Sequence, residues 1–513
     1  MRAGTRVGYV RVMHERTIRA TIDSGIVEGF TRDGVHRWRA IPYAAAPVGP
    51  LRFRAPQPVQ PWRGVRDCHA HGRCAPQQKM YTVTGVGRYQ PMGEDCLTLN
   101  VVAPARTWEE PLPVMVFVHG GAYMLGSSAT PIYDGAALAR RGCVYVAVNY
   151  RLGPLGCLDL SALSTPEHPM ESNLFVRDLL LALRWVQNNI GAFGGDPDRV
   201  TIFGESAGAH AVGTLLAVPD AEGLFAQVIA ESPAAGMTGS AETAEVFAGR
   251  FAELLGLAPG HAAAALRTAD PALLVDAVDR LLKIANAEML GAFPLGPTYG
   301  TDVLPIEPLE AMRSGRALRV PLIVGSNAEE ARLFSRFLKL LPLSEGRIES
   351  LLATQGIEGR DRITAAYPEY PSSAACVQLG GDFAFTSAVW QLADAHSVHA
   401  PTYVYRYDYS PRTLTWSGLG ATHATELLAV FDVYRSRFGS VLTAAGDRKA
   451  ARRVSNDLQN RWRAFGSTGV PGPDWPRYNT TDRPVLVFDR HSRVELDPHG
   501  QRREAWESFS LGR

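Results

Sequence analysis

Thr201-Ile-Phe-Gly-Glu-Ser-Ala-Gly-Ala-His210 decides how this chain is read. Within it, Gly204-Glu-Ser-Ala-Gly208 is a Gly-x-Ser-x-Gly pattern, and Val200-Thr-Ile-Phe203 before it is a short apolar strand. Ala207 to Ala217 is small and apolar enough for a buried helix. A strand that turns sharply into a helix needs small residues on both sides of the turn. Gly204 and Gly208 let the helix pack tightly on the strand and lift the Ser206 hydroxyl to the top of a sheet. In a chain with 49 glycines the pattern also arises as an ordinary strand–helix turn, so the surrounding stretches must decide.

Upstream, Pro113–Val118 is a continuous apolar run of the kind buried on both faces of a sheet, and it ends in His119-Gly-Gly-Ala-Tyr123. Val144–Asn149 is a second such run, followed by Tyr150-Arg-Leu-Gly-Pro154. Asp178–Asn189 has helical apolar spacing through Leu179, Leu180, Leu183 and Val186, with Trp185 on the same stripe. Downstream, Phe225–Ala230, Val320–Gly325 and Thr402–Tyr407 read as strands. Residues 240–290 and 331–400 read as helices, and 445–465 as a terminal amphipathic helix. Residues 16–30 alternate as edge strands do. The prolines between Arg39 and Phe53 predict an ordered surface segment outside any sheet interior. Strand and helix in alternation predict an α/β fold with a large, mostly parallel central sheet and helices on both faces. No linker composition or repeat divides the chain, which predicts one domain over 1–513 with helical insertions at roughly 235–300 and 331–400.

Charged residues make up 20% of the 513 and the formal net charge is +1, with no basic stripe, so nucleic-acid binding has no electrostatic support. No apolar h-region follows the N-terminal charges, and no run is long enough to span a bilayer. The six cysteines (68, 74, 96, 143, 157, 376) fit no zinc spacing. The expectation is a reduced, cytoplasmic protein with no metal and no cofactor, monomeric or weakly homo-oligomeric.

A serine hydroxyl is a poor nucleophile until a base takes its proton and an acid orients that base. It also needs backbone N–H groups aimed at the developing oxyanion. Ser206 is followed by carboxylates at 329 and 330 after a strand, then by a histidine at 423 in the glycine-bearing loop 416–426. That is the serine–acid–histidine order of an α/β-hydrolase. Gly120 and Gly121 permit close backbone approach to a substrate, and His119-Gly-Gly-Ala is a loop type that supplies oxyanion donors.

Eight stretches, in order, carry a resemblance. They are Ala40-Ile-Pro-Tyr-Ala with Pro-Val-Gly-Pro-Leu-Arg-Phe53, Glu94-Asp-Cys-Leu-Thr-Leu-Asn100, His119-Gly-Gly-Ala-Tyr123 and Asn149-Tyr-Arg-Leu-Gly153. Phe193-Gly-Gly-Asp-Pro197, Gly204–Gly208, Gly325-Ser-Asn-Ala-Glu-Glu330 and Gly420-Ala-Thr-His-Ala-Thr-Glu426 complete them. Over nearly its whole length the chain resembles the type B carboxylesterases, the esterase–lipase group that contains cholinesterases and bacterial para-nitrobenzyl esterases. The resemblance implies Ser206 as nucleophile, Glu330 as acid and His423 as base. It implies an oxyanion hole from the N–H groups of Gly121, Ala122 and Ala207, and a buttress for the histidine from Ser232 and Glu426. Cys74 and Cys96 match a disulfide of secreted relatives and would stay thiols in a reducing cytosol.

Two departures stand out. The family's Gly-Asn-x-Gly-x-x-Asp-Gln run is Ser172-Asn-Leu-Phe-Val-Arg-Asp-Leu179 here, keeping Asn173 and Asp178. Where cholinesterases carry a tryptophan, this chain has Gly85-Val-Gly87, which argues against recognition of choline on an aromatic face. Glu205 either tunes His423 or forms a solvated pocket wall. His119 reads as loop-shaping rather than as a second base, and His210, Cys143 and Cys157 read as packing. Trp185, Trp390 and Trp475 read as core or rim, and Phe293 and Met289 as acyl-pocket candidates. The function implied is hydrolysis of small-molecule carboxylic esters, of short to medium chain, through an acyl-enzyme. The alternatives are a non-catalytic binding protein on the same fold, or hydrolysis of amides, carbamates or lipids.

Overall fold

The computed structural model describes residues 16–79, 90–234, 236–288, 291–337 and 341–509. Met289 and Gly85–Gly87 lie outside them. A thirteen-stranded sheet organises the chain. Its strands are β1 (Arg16–Ile22), β2 (Gly25–Arg32), β3 (Val35–Pro42), β4 (Val65–Asp67), β5 (Thr98–Pro104) and β6 (Leu112–Val118). They continue with β7 (Val144–Val148), β8 (Gly195–Glu205) and β9 (Gln227–Glu231). A separate small pair is β10 (Gly239–Ser240) with β11 (Thr298–Tyr299), after which β12 (Leu322–Asn327), β13 (Thr402–Tyr407), β14 (Pro484–Phe488) and β15 (Arg493–Leu496) return to the main sheet. The order is β1-β2-β3-β5-β7-β6-β8-β9-β12-β13-β14-β15, with β4 beside β2. Strands from β7 to β14 in that order run parallel, and antiparallel strands close both edges.

Every residue of β5, β6 and β7 is buried, as their uninterrupted apolar sequences require. Alternation then splits β6 between two cores. Val114, Val116 and Val118 pack with the helices Leu174–Asn189 and Ala207–Leu215 on one face. Met115 and Phe117 pack on the other with Leu458, Trp462 and Phe465 of the helix Arg448–Thr468. Residues 241–288 form three helices (Ala241–Leu254, Pro259–Thr268, Pro271–Glu288), and five more lie between Arg332 and Ser397.

Two readings of the sequence need correction. The stretch Arg39–Phe53 is not a surface segment: β3 runs on to Pro42, and Tyr43 and Phe53 are buried. Pro42 sits at the last register position of the strand, where a missing N–H costs least. Tyr43 donates its hydroxyl to the Asn149 carbonyl at 2.7 Å, and Arg52 holds Glu94 through two bonds of 2.7 and 2.5 Å. The helix near 445–465 spans Arg448–Thr468 and is not terminal, because β14, β15 and the helix Gly500–Trp506 follow it. The departure at 172–179 is structural. Asp178 is wholly buried and takes the Arg151 guanidinium at 2.6 Å, while Asn173 holds the backbone of Thr298 through its side-chain amide. All six cysteines are buried free thiols, and burial pushes the Cys74 thiol up to about 11. No helix among the described residues is long and apolar enough to cross a membrane.

Candidate active site

β8 delivers Glu205 at its end, and Ala207 opens the helix that follows, so Ser206 alone makes the turn. Its backbone sits at φ 58°, ψ −123°, a conformation that costs a non-glycine residue about 1–3 kcal/mol. The serine N–H donates to the Glu231 carbonyl at 2.9 Å, and its own carbonyl accepts from His210 N–H at 2.9 Å. Tight packing fixes the turn. A Cβ on Gly204 would stand 2.6 Å from the Gly208 backbone, and one on Gly208 would drive into the Val118 carbonyl. Ser206 therefore stands at a helix N-terminus, where oriented N–H groups favour negative charge.

β6 ends against the same turn. A Cβ on Gly120 would lie 2.8 Å from a Glu205 carboxyl oxygen and 3.0 Å from Ser206 Cβ. Gly121, Ala122 and Tyr123 follow at φ 114°, 52° and 59°. Three left-handed residues in succession turn the backbone so that no group among the described residues takes the N–H of Gly121 or Ala122. Ala207, the first residue of its helix, likewise has no intrahelical acceptor. His119 shapes this loop. Its ring stacks on Tyr150 at 4.6 Å, its Nδ1 lies 2.9 Å from the Gly120 carbonyl, and burial pushes its pKa down to about 4. His210 does more than pack: its two ring nitrogens lie 2.9 Å from the Tyr123 hydroxyl and 2.9 Å from Thr238 Oγ1, tying the loop to the helix.

The acidic partner comes from the turn after β12. Glu330 Oε2 is 2.6 Å from His423 Nδ1, both groups being buried. Glu330 Oε1 accepts from the Ser232 hydroxyl at 2.6 Å and from the Asn327 N–H at 2.6 Å. Glu329 points elsewhere, pairing with Arg332 at 2.6 Å and accepting from Ala421 N–H at 3.2 Å. Glu426 closes the group: Asn327 Nδ2 donates to its Oε2 at 2.5 Å, and the Ser232 hydroxyl lies 3.4 Å from its Oε1. Asn327 thus bridges Glu330, Ser232 and Glu426, a contact the sequence reading did not foresee.

Glu205 is buried at the end of β8. It is 3% exposed, so it is no solvated wall, and its Oε1 lies 3.0 Å from His423 Nε2, in contact but outside hydrogen-bond alignment. Burial first, then the neighbouring carboxylates Glu330 and Glu231, hold its carboxyl well above the ordinary range. Burial, then Glu205, Glu330 and Glu231, likewise raise Glu426. Glu231, beside Glu205 in the β8–β9 register, is pushed up to about 8 by burial although Trp462 Nε1 donates to it at 2.8 Å. No hydrogen bond joins Ser206 to His423, so the structure pairs Glu330 with His423, sets the Gly120–Tyr123 loop against the Ser206 turn, and leaves the serine–histidine contact unmade. Such bonds often align only in a substrate complex. Phe334 and Phe385 cover the imidazole at centroid distances of 5.2 and 4.2 Å. Phe293 is half-buried against the core. A cleft of about 760 Å³ touches Glu330 from its outer side, but neither Ser206 nor His423 lines it.

Residues 16–506 match the model of the carboxylesterase family. The para-nitrobenzyl esterase of Bacillus subtilis (strain 168) is 36% identical over 493 residues, covering 94% of this chain and 97% of that protein. The fumonisin B1 esterase of Sphingopyxis macrogoltabida is 36% identical over 473 residues, covering 89% and 83%. A solved para-nitrobenzyl (PNB) esterase structure superposes with a TM-score of 0.85 at 35% identity, covering 95% of this chain and 99% of that one. With the α/β-hydrolase sheet intact from end to end, the chain belongs to the carboxylesterase family, enzymes that hydrolyse carboxylic esters.

Proposed function

We propose that Ser206 is the nucleophile, His423 the general base and Glu330 the acid of a serine esterase acting on short- to medium-chain esters. The observation that carries this is the buried 2.6 Å contact between Glu330 and His423 beside the strained Ser206 turn. Ser206 Oγ attacks the ester carbonyl while its proton passes to His423 Nε2, and Glu330 stabilises the imidazolium. The N–H groups of Gly121, Ala122 and Ala207 hold the oxyanion. Collapse expels the alcohol, which takes the proton from Nε2, and water then repeats the cycle on the acyl-enzyme. His423 Nε2 exchanges its contact with Glu205 for Ser206 when substrate fills the site. Ser232, Asn327 and Glu426 hold Glu330 in place, and Glu205 holds Nε2 until that exchange.

The same reading takes 1–513 as one catalytic domain with helical insertions near 235–300 and 331–400. It takes the chain as a cytoplasmic enzyme, monomeric or weakly associated, a location supported by six free thiols. Choline esters gain nothing from their cation, on the sequence of Gly85–Gly87 alone. The test is a panel of uncharged aryl and alkyl esters of graded acyl length, with acetylcholine and an anilide alongside. Turnover of the short esters that disappears in Ser206→Ala supports the reading. Preferred turnover of the anilide or of acetylcholine overturns the substrate class.

A further inference from the structure

Asp382 opens a single wide turn, Asp382–Thr386, in which the Ser387 N–H reaches back to the Asp382 carbonyl between the helices Ser373–Gly381 and Ser387–Ser397. Such insertions re-aim side chains and recur at functional sites. Here alternate side chains face two ways. Phe383 packs against Trp506 and Phe509, with centroids at 6.1 and 5.7 Å. Phe385 lies on the His423 imidazole at 4.2 Å, the planes inclined at 31°. Gly381, just before the turn, lets the segment close on the acid: a Cβ there would sit 3.1 Å from Ala331 Cβ and 3.6 Å from Glu330 Cβ.

The far end of the turn is gripped by the C-terminal helix Gly500–Trp506. Arg502 pairs with Asp382 at 2.8 Å, with both side chains largely buried. Tyr367 donates its hydroxyl to the same carboxylate oxygen at 2.7 Å and accepts from Trp506 Nε1 at 2.8 Å. These bonds fix the carboxylate from two directions, and the carboxylate fixes the start of the turn that aims Phe385.

We infer that Arg502, Tyr367 and Asp382 are positioning residues that act on His423 through Phe385, so that the C-terminal helix sets the seat of the base. This rests on the assignment of His423 as base. The groups that face the imidazole are Glu330 at Nδ1, Glu205 at Nε2, Glu426 behind them, and the rings of Phe334 and Phe385. Glu231 and Asp382 flank that group through Glu205 and the wide turn. Against this shell of carboxylates, an aromatic face adds attraction for the imidazolium that an aliphatic side chain of similar size lacks.

The test is a double-mutant cycle on kcat, KM and the acid limb of kcat/KM, using Arg502→Gln, Tyr367→Phe and Phe385→Leu, singly and with Phe385→Leu in each pair. Arg502→Gln and Tyr367→Phe should each lower kcat by about 3- to 10-fold with KM within about twofold, as loss of orientation does. Phe385→Leu should do the same and move the acid limb down by roughly half a pH unit, because the imidazolium loses stabilisation. Each double variant should be no slower than Phe385→Leu alone, since the remote residues act through that ring. Arg502→Lys should recover most of the loss. Tyr367→Phe deletes one hydroxyl and answers the question even where Arg502→Gln fails to fold. Losses that multiply in the doubles, or a lowered Tm with kcat and the acid limb unchanged, overturn the inference. His423→Ala in the same series separates the two readings: if it stays active, the assignment of the base has failed, and if it is inactive while Tyr367→Phe matches wild type, only the positioning role has.

Discussion

Replacing Glu330 by Gln is the sharpest test of the site, because the structure dictates how the amide must lie. Glu330 Oε1 accepts from two donors, the Ser232 hydroxyl and the Asn327 backbone N–H, each at 2.6 Å. The hydroxyl can rotate, but the backbone N–H cannot. A glutamine must therefore turn its carbonyl oxygen to that side, which aims its NH₂ group at His423 Nδ1. Nδ1 then becomes an acceptor, and the imidazole proton moves to Nε2. A histidine protonated at Nε2 cannot take the proton of Ser206. The same tautomer error in a serine protease costs about 10⁴ in kcat, which corresponds to about 5 kcal/mol of transition-state stabilisation. KM should stay within a few-fold, because the contact does not touch substrate. Glu329→Gln is the control. Its carboxylate is partly exposed and paired with Arg332, a surface ion pair that contributes at most about 1 kcal/mol. Its kcat should stay within about threefold of wild type. Steady-state hydrolysis of a chromogenic aryl ester by both variants, with matched circular dichroism spectra, makes the measurement. A crippled Glu329→Gln, or a Glu330→Gln within tenfold of wild type, refutes the tautomer argument.

Ser206→Ala should keep the fold and lose activity on the order of 10⁶-fold, and a fluorophosphonate should label Ser206 alone by mass spectrometry. Arg151→Met should cost about 3–5 kcal/mol in denaturant unfolding, because it strands the wholly buried Asp178 carboxylate; an unchanged midpoint contradicts this. Gly208→Ala should abolish soluble enzyme, since its Cβ meets the Val118 carbonyl and backbone cannot yield as a side chain can. Glu231→Gln should change stability in a pH-dependent way. A carboxyl raised to about 8 in the fold, above its unfolded value, lends stability that is complete below the unfolded pKa and is lost as pH rises toward 8. Gln keeps the acceptor for Trp462 and removes the titration, so the variant's Tm relative to wild type should climb between pH 5 and pH 8. A difference that stays flat with pH shows that Glu231 does not titrate in this window.

The parts of this site that sequence could disclose are those whose chemistry is local. Gly204 and Gly208 flank Ser206 because one tight turn demands them, and the clash of any added Cβ with Val118 and with Gly208 is that demand in space. The parallel strands were legible for the same reason: an uninterrupted apolar run such as Val114–Val118 has no other stable place than a sheet covered on both faces. Prolines misled at Arg39–Phe53, where the strand needed only its last position to tolerate one. The edge strands β14 and β15 carry little signal, because β15 is four mostly exposed residues that pair, among the described residues, with β14 alone.

What sequence could not disclose is which carboxylates share one dry space. Glu205, Glu231, Glu330 and Glu426 come from β8, β9, the turn after β12 and the loop before the helix Leu427–Val430, so no spacing connects them. Sheet register makes the first connection, setting Glu205 beside Glu231, and Asn327 makes the second by bonding to Glu330 and Glu426 together. Four buried carboxyls with one imidazole among them cannot all carry charge, since each ionised neighbour raises the cost of the next. Burial first and then that repulsion raise Glu205 and Glu426, while burial alone raises Glu231. Glu330 differs from the other three in what it touches: it alone meets His423 in a 2.6 Å hydrogen bond and takes two further donors. Those contacts hold the Glu330 carboxyl against Nδ1, where an acid must stand to orient a histidine. That placement is made by Ser232 just past β9, Asn327 at the end of β12 and His423 in the loop before the helix Leu427–Val430, rather than by any feature of the Gly325–Glu330 motif read alone.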